Sequence, residues 1–594
     1  MKILKHVYQL LAEQIRGRLN KAQYVIYVAV LTGLTSGLIA VLLKKVVHYL
    51  QRWIEEIPAP PLYLIFPAIG LLLTVFLTIR FYKGAFERGI GMVLKAIAQK
   101  SSFIPFSHAY LHVITSAITV GVGGSVGLES PIVATGSAIG SNVARINVLS
   151  YRDRSLMIAC GAAAGIAAVF NAPVAGVIFA IEVLMVETGV SYFIPLIIAA
   201  VIGALCSKII LDENSLFSFV LTQHFNYKFV PFYIILGILS GFTAIYYAKT
   251  FKGSEKRIHG WKINRYLKAV VGGLMLLILC YTLPPLFGEG YESVKQVATG
   301  EIAQTTHKSY IFKYAGETWT LLIYAVSVVL LKPVAAGITI GAGGNGGNFA
   351  PSLFVGSFLG FSFSRLVNST NLVQIPEGNF SLAAMAGVLS GVMYCPLTAI
   401  FLIAEITNGY ELFIPLMIVS SISHLIVKHF EPYSMETKHL ALKGEIFTHK
   451  KEQNILSTIS LEEMLDDSYM NISINHTVGD MLKILNQSPK TVFAIHDDEH
   501  LFVGIMELND IKKLVLREDI QVNASISPIV KHPSEIIYYK DTMTEVMKKF
   551  DLTNSWHLPV LNAENKFLGF ISKSKLFDRY RMSLSENSDL YGDI

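Results

Sequence analysis

Seven apolar stretches, at 23–47, 62–82, 191–211, 230–248, 267–286, 319–340 and 411–428, are each long enough to cross a bilayer as a helix, since roughly 20 apolar residues span the hydrocarbon core. Between them lie 109–145, 156–187, 345–366 and 381–406, also apolar but broken by Gly and Pro. Broken helices expose backbone groups that lipid cannot satisfy. Such segments persist only where protein buries them or where they line a watery cavity, so they mark where a pathway would run. With 52% hydrophobic and only 15% charged among 594 residues, and a mean hydropathy of +0.50, the composition excludes a soluble enzyme. No catalytic constellation stands out, and no enzymatic activity is expected. The net charge of +6 is modest and is a poor footprint for nucleic acid. Basic residues gather in 2–21 and in 249–268, which predicts that both face the cytoplasm. Residues 1–21 read as a basic amphipathic segment with too short an apolar run for a signal peptide. Cys160, Cys206, Cys280 and Cys395 lie in apolar segments without paired or metal-like spacing and read as buried packing residues.

The broken segments repeat. GLESP ends at Pro131 and GNFAP at Pro351, while NAPVAGVIFAIE runs to Glu182 and YCPLTAIFLIAE to Glu405. The offset between halves is 220 for the first pair of motifs and 223 for the second. Duplicated halves with broken helices in matching positions point to a transporter-like fold with its site at the repeat interface. In GSVGLESP (124–131) and GNGGNFAP (344–351), glycines open an apolar helix. A Gly-rich helix start offers unpaired N–H groups and the positive end of the helix dipole, so two of them meeting inside the membrane would attract an anion. A cation site would show clustered carboxylates, which are absent from the motifs. The plainer alternative is that the glycines only permit close helix packing.

GSVGLESP resembles a signature of the CLC family of chloride channels and transporters, GGNFAP resembles its partner motif, and FNAPVAGVIFAIE is similar to a third family segment. The resemblance implies an all-α polytopic membrane domain with inverted repeats of tilted and broken helices, in a homodimer with one pathway for monovalent anions per subunit. It places the gating glutamate at Glu129, beside Gly127 and Leu128, and the backbone anion ligands at Asn348 and Phe349. An ionised Glu129 would fill the anion site as a tethered competitor and withdraw when protonated or displaced. Glu182 and Glu405 read instead as structural groups that cap or bond the broken helices.

Three departures from the family pattern matter. The second, internal glutamate of proton-exchanging members is replaced by Val183, which cannot relay a proton; Glu187, about one helical turn on, could substitute only through water. The best match to the motif whose serine lines the inner site is ERGIG (87–91), which puts Arg88 at the serine position. The inner-gate tyrosine falls either at Tyr433, by its preceding Pro432, or at Glu436, by its spacing to Leu440, and spacing favours Glu436. An Arg88–Glu436 salt bridge across the inner mouth is one expectation; a free Arg88 that concentrates anions and an Arg88 that snorkels to the interface are the others.

Residues 459–516 and 525–583 each read strand, helix, strand, turn, strand, helix, with Gly504 and Gly569 in register. They resemble a tandem CBS pair, an α/β cytoplasmic module. The ribose-binding Ser/Thr and Asp pattern of nucleotide-binding examples is incomplete here, with Glu507 and Asp510 in one unit and Ser572 and Lys575 in the other. No cofactor is expected, and adenine-nucleotide binding is disfavoured. The domain expectation is therefore a membrane domain over 22–440, a linker over 441–458, the CBS pair, and a disordered polar tail over 584–594. The functional expectation is transport of chloride or a similar monovalent anion across the plasma membrane, with both termini cytoplasmic. Val183 favours uncoupled flow over proton exchange. A non-conducting anion sensor is a further alternative, and differing signature motifs disfavour fluoride as the substrate.

Overall fold

The computed structural model describes residues 14, 16–56, 65–82, 89–99, 102–184, 190–211, 225–299, 309, 318–407, 409–442, 459–469, 471–487, 490–515 and 522–586. Most of the basic N-terminal segment, Arg88 and Glu187 lie outside them, as does most of the expected tail. The chain divides into two compact units, Met1–Ile446 and Phe447–Ile594.

The first unit is helical: α1 Lys21–Glu55, α2 Phe66–Tyr82, α3 Ile90–Gln99, α4 Ser107–Gly121, α5 Glu129–Ile146, α6 Tyr151–Phe170, α7 Pro173–Glu182, α8 Val190–Leu211, α9 Val230–His259, α10 Arg265–Thr282, α11 Tyr291–Ala298, α12 Thr318–Gly341, α13 Phe349–Ser369, α14 Glu377–Met393, α15 Pro396–Ile406, α16 Phe413–Phe430 and α17 Lys438–Leu442. Among the described residues, eight helices are long and apolar enough to cross a membrane. They include Tyr151–Phe170 and Phe349–Ser369, which lie in segments expected to be broken. The expected span 62–82 forms the shorter helix Phe66–Tyr82, of 17 residues. All four cysteines are buried. Basic residues of the 249–268 stretch form the last turn of α9, where Lys256, Arg257 and His259 complement the helix dipole.

The repeat is visible atom by atom. Gly123 and Gly343 both adopt positive φ, 98° and 111°, turning the chain out of α4 and α12 into the two Gly-rich motifs. Thr119 and Thr339 then exchange partners: Ser125 N–H donates to Thr339 Oγ1 at 3.2 Å and Asn345 N–H to Thr119 Oγ1 at 3.1 Å. The motifs themselves are paired, with Gly127 N–H to Gly347 O at 2.9 Å and Gly347 N–H to Gly127 O at 2.8 Å. Further along, α6 and α14 each end on a left-handed residue, Asn171 (φ 54°) and Tyr394 (φ 60°). The helices α7 and α15 then start on Pro173 and Pro396, where a missing N–H does no harm. Glu405 accepts the N–H groups of Val174 (3.0 Å) and Ala175 (2.8 Å) at the start of α7. Glu182 accepts those of Leu397 (3.1 Å) and Thr398 (2.8 Å) at the start of α15. Each half thus caps a broken helix of the other, which is the structural role expected for both carboxylates.

The second unit holds two three-stranded sheets. The helix α18 Leu461–Met464 precedes β1 Asn471–Ser473, α19 Val478–Gln487, β2 Val492–His496, β3 Phe502–Glu507 and α20 Leu508–Val515. The order recurs in β4 Ile537–Tyr538, α21 Met543–Thr553, β5 His557–Leu561, β6 Phe567–Ser572 and α22 Lys573–Glu586. In each sheet the first two strands run parallel and the last two antiparallel. The leading segments are swapped: Asp466 pairs with Phe570 on β6, and Lys531 pairs with Ile505 on β3. This explains the two aligned glycines. A Cβ on Gly504 would lie 2.6 Å from Lys531 O, and one on Gly569 would lie 2.5 Å from Asp466 O. Residues 584–586, expected in the tail, continue α22.

Candidate functional site

The helices α5 and α13 begin side by side, inside the protein. Their N-cap positions, Leu128 and Asn348, carry no side-chain cap, in contrast to α1, α6 and α10, capped by Asn20, Ser150 and Asn264. The first N–H groups of a helix have no partner within it, and leaving one buried and unpaired costs about 1–3 kcal/mol. Both starts are buried: Leu128 and Phe349 are at most 2% exposed and Asn348 8%. Two uncapped, buried helix starts facing each other form a mouth that requires an acceptor, and the dipoles favour a negative one.

Glu129 supplies that acceptor. Its side chain is buried. Its Oε1 accepts a short hydrogen bond from the Tyr291 hydroxyl, at the start of α11, and its Oε2 accepts Ala350 N–H at 3.4 Å. The carboxylate of one half therefore lies across the helix start of the other. A Cβ on Gly127 would stand 2.1 Å from Glu129 Oε2, so this position admits only glycine while the carboxylate is folded in. Below it, the Phe349 ring packs against Phe170 and Phe179, with centroids 5.5 and 6.2 Å away.

At the same helix start, Asn348 Nδ2 donates to Glu436 Oε1 at 3.4 Å, and Asn348 Oδ1 accepts the Tyr247 hydroxyl at 3.3 Å. Tyr247 is fully buried. Glu436 also reaches Gly89, where a Cβ would lie 3.4 Å from its Oε2.

Residues 70–428, more than half of the chain, match the profile of the family described as voltage gated chloride channel. This chain belongs to the CLC family. The H(+)/Cl(-) exchange transporter ClcA of Vibrio parahaemolyticus is 26% identical over 468 residues, which cover 75% of this chain and 95% of that protein. Among solved structures, a slow cyanobacterial Cl-/H+ antiporter aligns with a TM-score of 0.61 at 21% identity, over 72% of this chain and 98% of that one. A eukaryotic CLC transporter aligns with a TM-score of 0.58 at 18% identity, over 93% and 97%. The first unit is accordingly a multi-pass membrane domain with the CLC fold.

The site residues read from the CLC motifs fall together in part. Gly127, Leu128, Glu129, Asn348 and Phe349 converge at the paired helix starts. Glu436 joins them through Asn348, whereas no hydrogen bond among the described residues ties Tyr433 to the helix starts. Val183 is buried at the C-terminal end of α7. Sequence reasoning missed Tyr247, Tyr291, Glu289 and Lys332. Each reaches the site through tertiary contact and lies in no CLC motif that was read. The one available signal was a Gly-Glu-Gly-Tyr run at 288–291, a charge set between glycines in an otherwise apolar stretch.

Proposed function

We propose that this CLC protein carries chloride or a similar monovalent anion through one pathway in each subunit of a homodimer, with Glu129 as the gate. The observation that carries the reading is the Glu129 carboxylate on the Ala350 amide. A bound anion needs the same N–H, so the two compete, and protonation of the carboxylate weakens it as a competitor. Asn348 and Phe349 contribute backbone N–H groups to the same mouth. The protein resides in the plasma membrane with both termini cytoplasmic, in keeping with basic residues at 2–21 and at the facing ends of α9 and α10.

For coupling, the relatives named as exchangers favour proton-coupled antiport, and Glu436 supplies an inner carboxylate where Val183 supplies none. Asn348 joins Glu436 to the buried Tyr247 hydroxyl, and it is the N-cap of the helix whose Ala350 amide meets Glu129. Uncoupled flow is the second reading, and it rests on Val183. The second unit acts as a CBS pair that assists dimerisation and stability. Its repeated strand and helix order and its swapped leading segments support this. Asp510, half of the incomplete ribose pattern, is held by Lys531 Nζ at 2.8 Å.

The test is a simultaneous recording of chloride and proton movement from liposomes under a chloride gradient. Exchange predicts uphill proton movement that disappears in Glu436→Gln. Chloride flow without proton movement selects the uncoupled reading, and no movement of either ion would overturn transport itself.

A further inference from the structure

A second carboxylate stands at the mouth. The loop between α10 and α11 carries Glu289, whose Oε1 accepts Leu128 N–H at 3.1 Å. This amide belongs to the uncapped start of α5. The loop is pinned to both halves of the repeat. Gly288 N–H donates to Gly123 O at 3.1 Å, and Gly288 O accepts from Lys332 Nζ at 2.9 Å. Lys332 is fully buried and lies 4.6 Å from the centroid of the Phe354 ring. The Phe287 ring occupies the space that a Cβ on Gly123 would need, 2.1 Å from its Cε2. A loop fixed this firmly delivers two side chains to defined places: Tyr291 to Glu129, and Glu289 to Leu128. It also lies at the far end of α10 from the basic Arg265 end, so it faces the side opposite the 249–268 stretch.

Resting on the transport reading above, we propose that Glu289 is a second tethered competitor, which holds the Leu128 amide until a transported anion displaces it. Binding at the mouth then requires two carboxylates to yield, Glu129 at the Ala350 amide and Glu289 at the Leu128 amide. Burial, and after it the Glu129 carboxylate, push the Glu289 carboxyl up to about 8, against the pull of the Leu128 amide, Lys44 and Lys332. Above about pH 8 the carboxyl is ionised, and its hydrogen bond from Leu128 N–H keeps Glu289 in place without a bound anion. It also makes the loop a determinant of how strongly anions bind from its side of the membrane. A purely structural role would give the opposite result on substitution, since a loosened loop disorders the amides and weakens binding.

The experiment compares the full-length protein with Glu289→Gln and Glu289→Asp at about pH 9, where the wild-type carboxyl is ionised, by calorimetric titration of sodium chloride in detergent and by chloride flux from liposomes. Glutamine keeps the size and the acceptor but loses the charge. The proposal predicts a roughly tenfold lower chloride dissociation constant, the scale of one charge-assisted hydrogen bond. It also predicts a matching fall in half-saturating chloride on the loop's side. Aspartate, one methylene shorter, withdraws from Leu128 and shifts binding the same way by a smaller factor, which keeps the test alive if the glutamine variant fails to fold. Unchanged or weaker chloride binding in folded variants overturns the role of Glu289 and leaves transport intact. Tighter binding in a protein that moves no chloride overturns transport and leaves Glu289 as assigned.

Discussion

At the scale of single residues, the Glu129 carboxylate and the glycine beneath it form one device. Gly127→Ala sets a methyl where Glu129 Oε2 now lies, so the carboxylate must leave the Ala350 amide. The expected outcome is flux that resembles Glu129→Gln in its loss of pH dependence, read from chloride efflux between about pH 4 and 7, the range that brackets an ordinary glutamate. A second prediction concerns the other unit. Partial burial raises the Asp466 carboxyl, but hydrogen bonds from Lys490 and Ser468 outweigh it and hold the group at about 2. Because that value lies below the unfolded one of about 3.9, Asp466 contributes stability above about pH 4 and loses it as the pH falls toward 2. Asp466→Asn should remove this part of the acid limb, seen as a flatter fall of the unfolding midpoint. The loss at neutral pH should stay within about 1–2 kcal/mol, since both side chains of the pair keep a quarter to a third of their surface in solvent. Glu129 was legible in the sequence because its neighbours form a motif. Glu289 and Tyr291 were not, because their partners lie about 160 residues away in the chain, and the one local signal, a charge set between glycines, does not say what they meet.

At the scale of elements, the short helices α7 and α15 depend on each other's carboxylates. Glu405→Ala removes the acceptor of two N–H groups at the start of α7. The expected loss is about 1–3 kcal/mol for each group left unpaired, measured as a lower unfolding midpoint in detergent. Glu405→Gln retains one acceptor and should fall in between. This duplication was readable from two nearly constant offsets. The exchange of caps between halves was not, since spacing alone says nothing of which start each carboxylate meets. The helices α6 and α13 also escaped recognition as spans. Their Ala, Gly and Ser content lowers hydropathy, and the structure explains that content: 89% and 72% of the respective span windows are buried inside the protein. There, close helix approach rather than lipid contact selects small residues.

At the scale of the whole molecule, a membrane unit built from two halves is joined to an α/β unit that is itself built from two halves, and each exchanges contacts across its own pseudo-symmetry. In the α/β unit the exchange passes over Gly504 and Gly569. Gly569 also has φ 154°, so Gly569→Ala adds a backbone clash to a strained conformation. It should destabilise this unit more than Gly504→Ala, read as earlier cleavage in limited proteolysis of the intact protein. The strand and helix order of this unit was legible from its alternating pattern, whereas the swapped leading segments needed the tertiary structure. On the proposed reading, Glu129 sits in the anion's place. This reading is tested most directly by chloride efflux from liposomes holding wild-type protein or Glu129→Gln. Efflux from the wild type should depend on pH, and efflux from the variant should not. Identical pH dependence in the two, or no efflux from either, would contradict it.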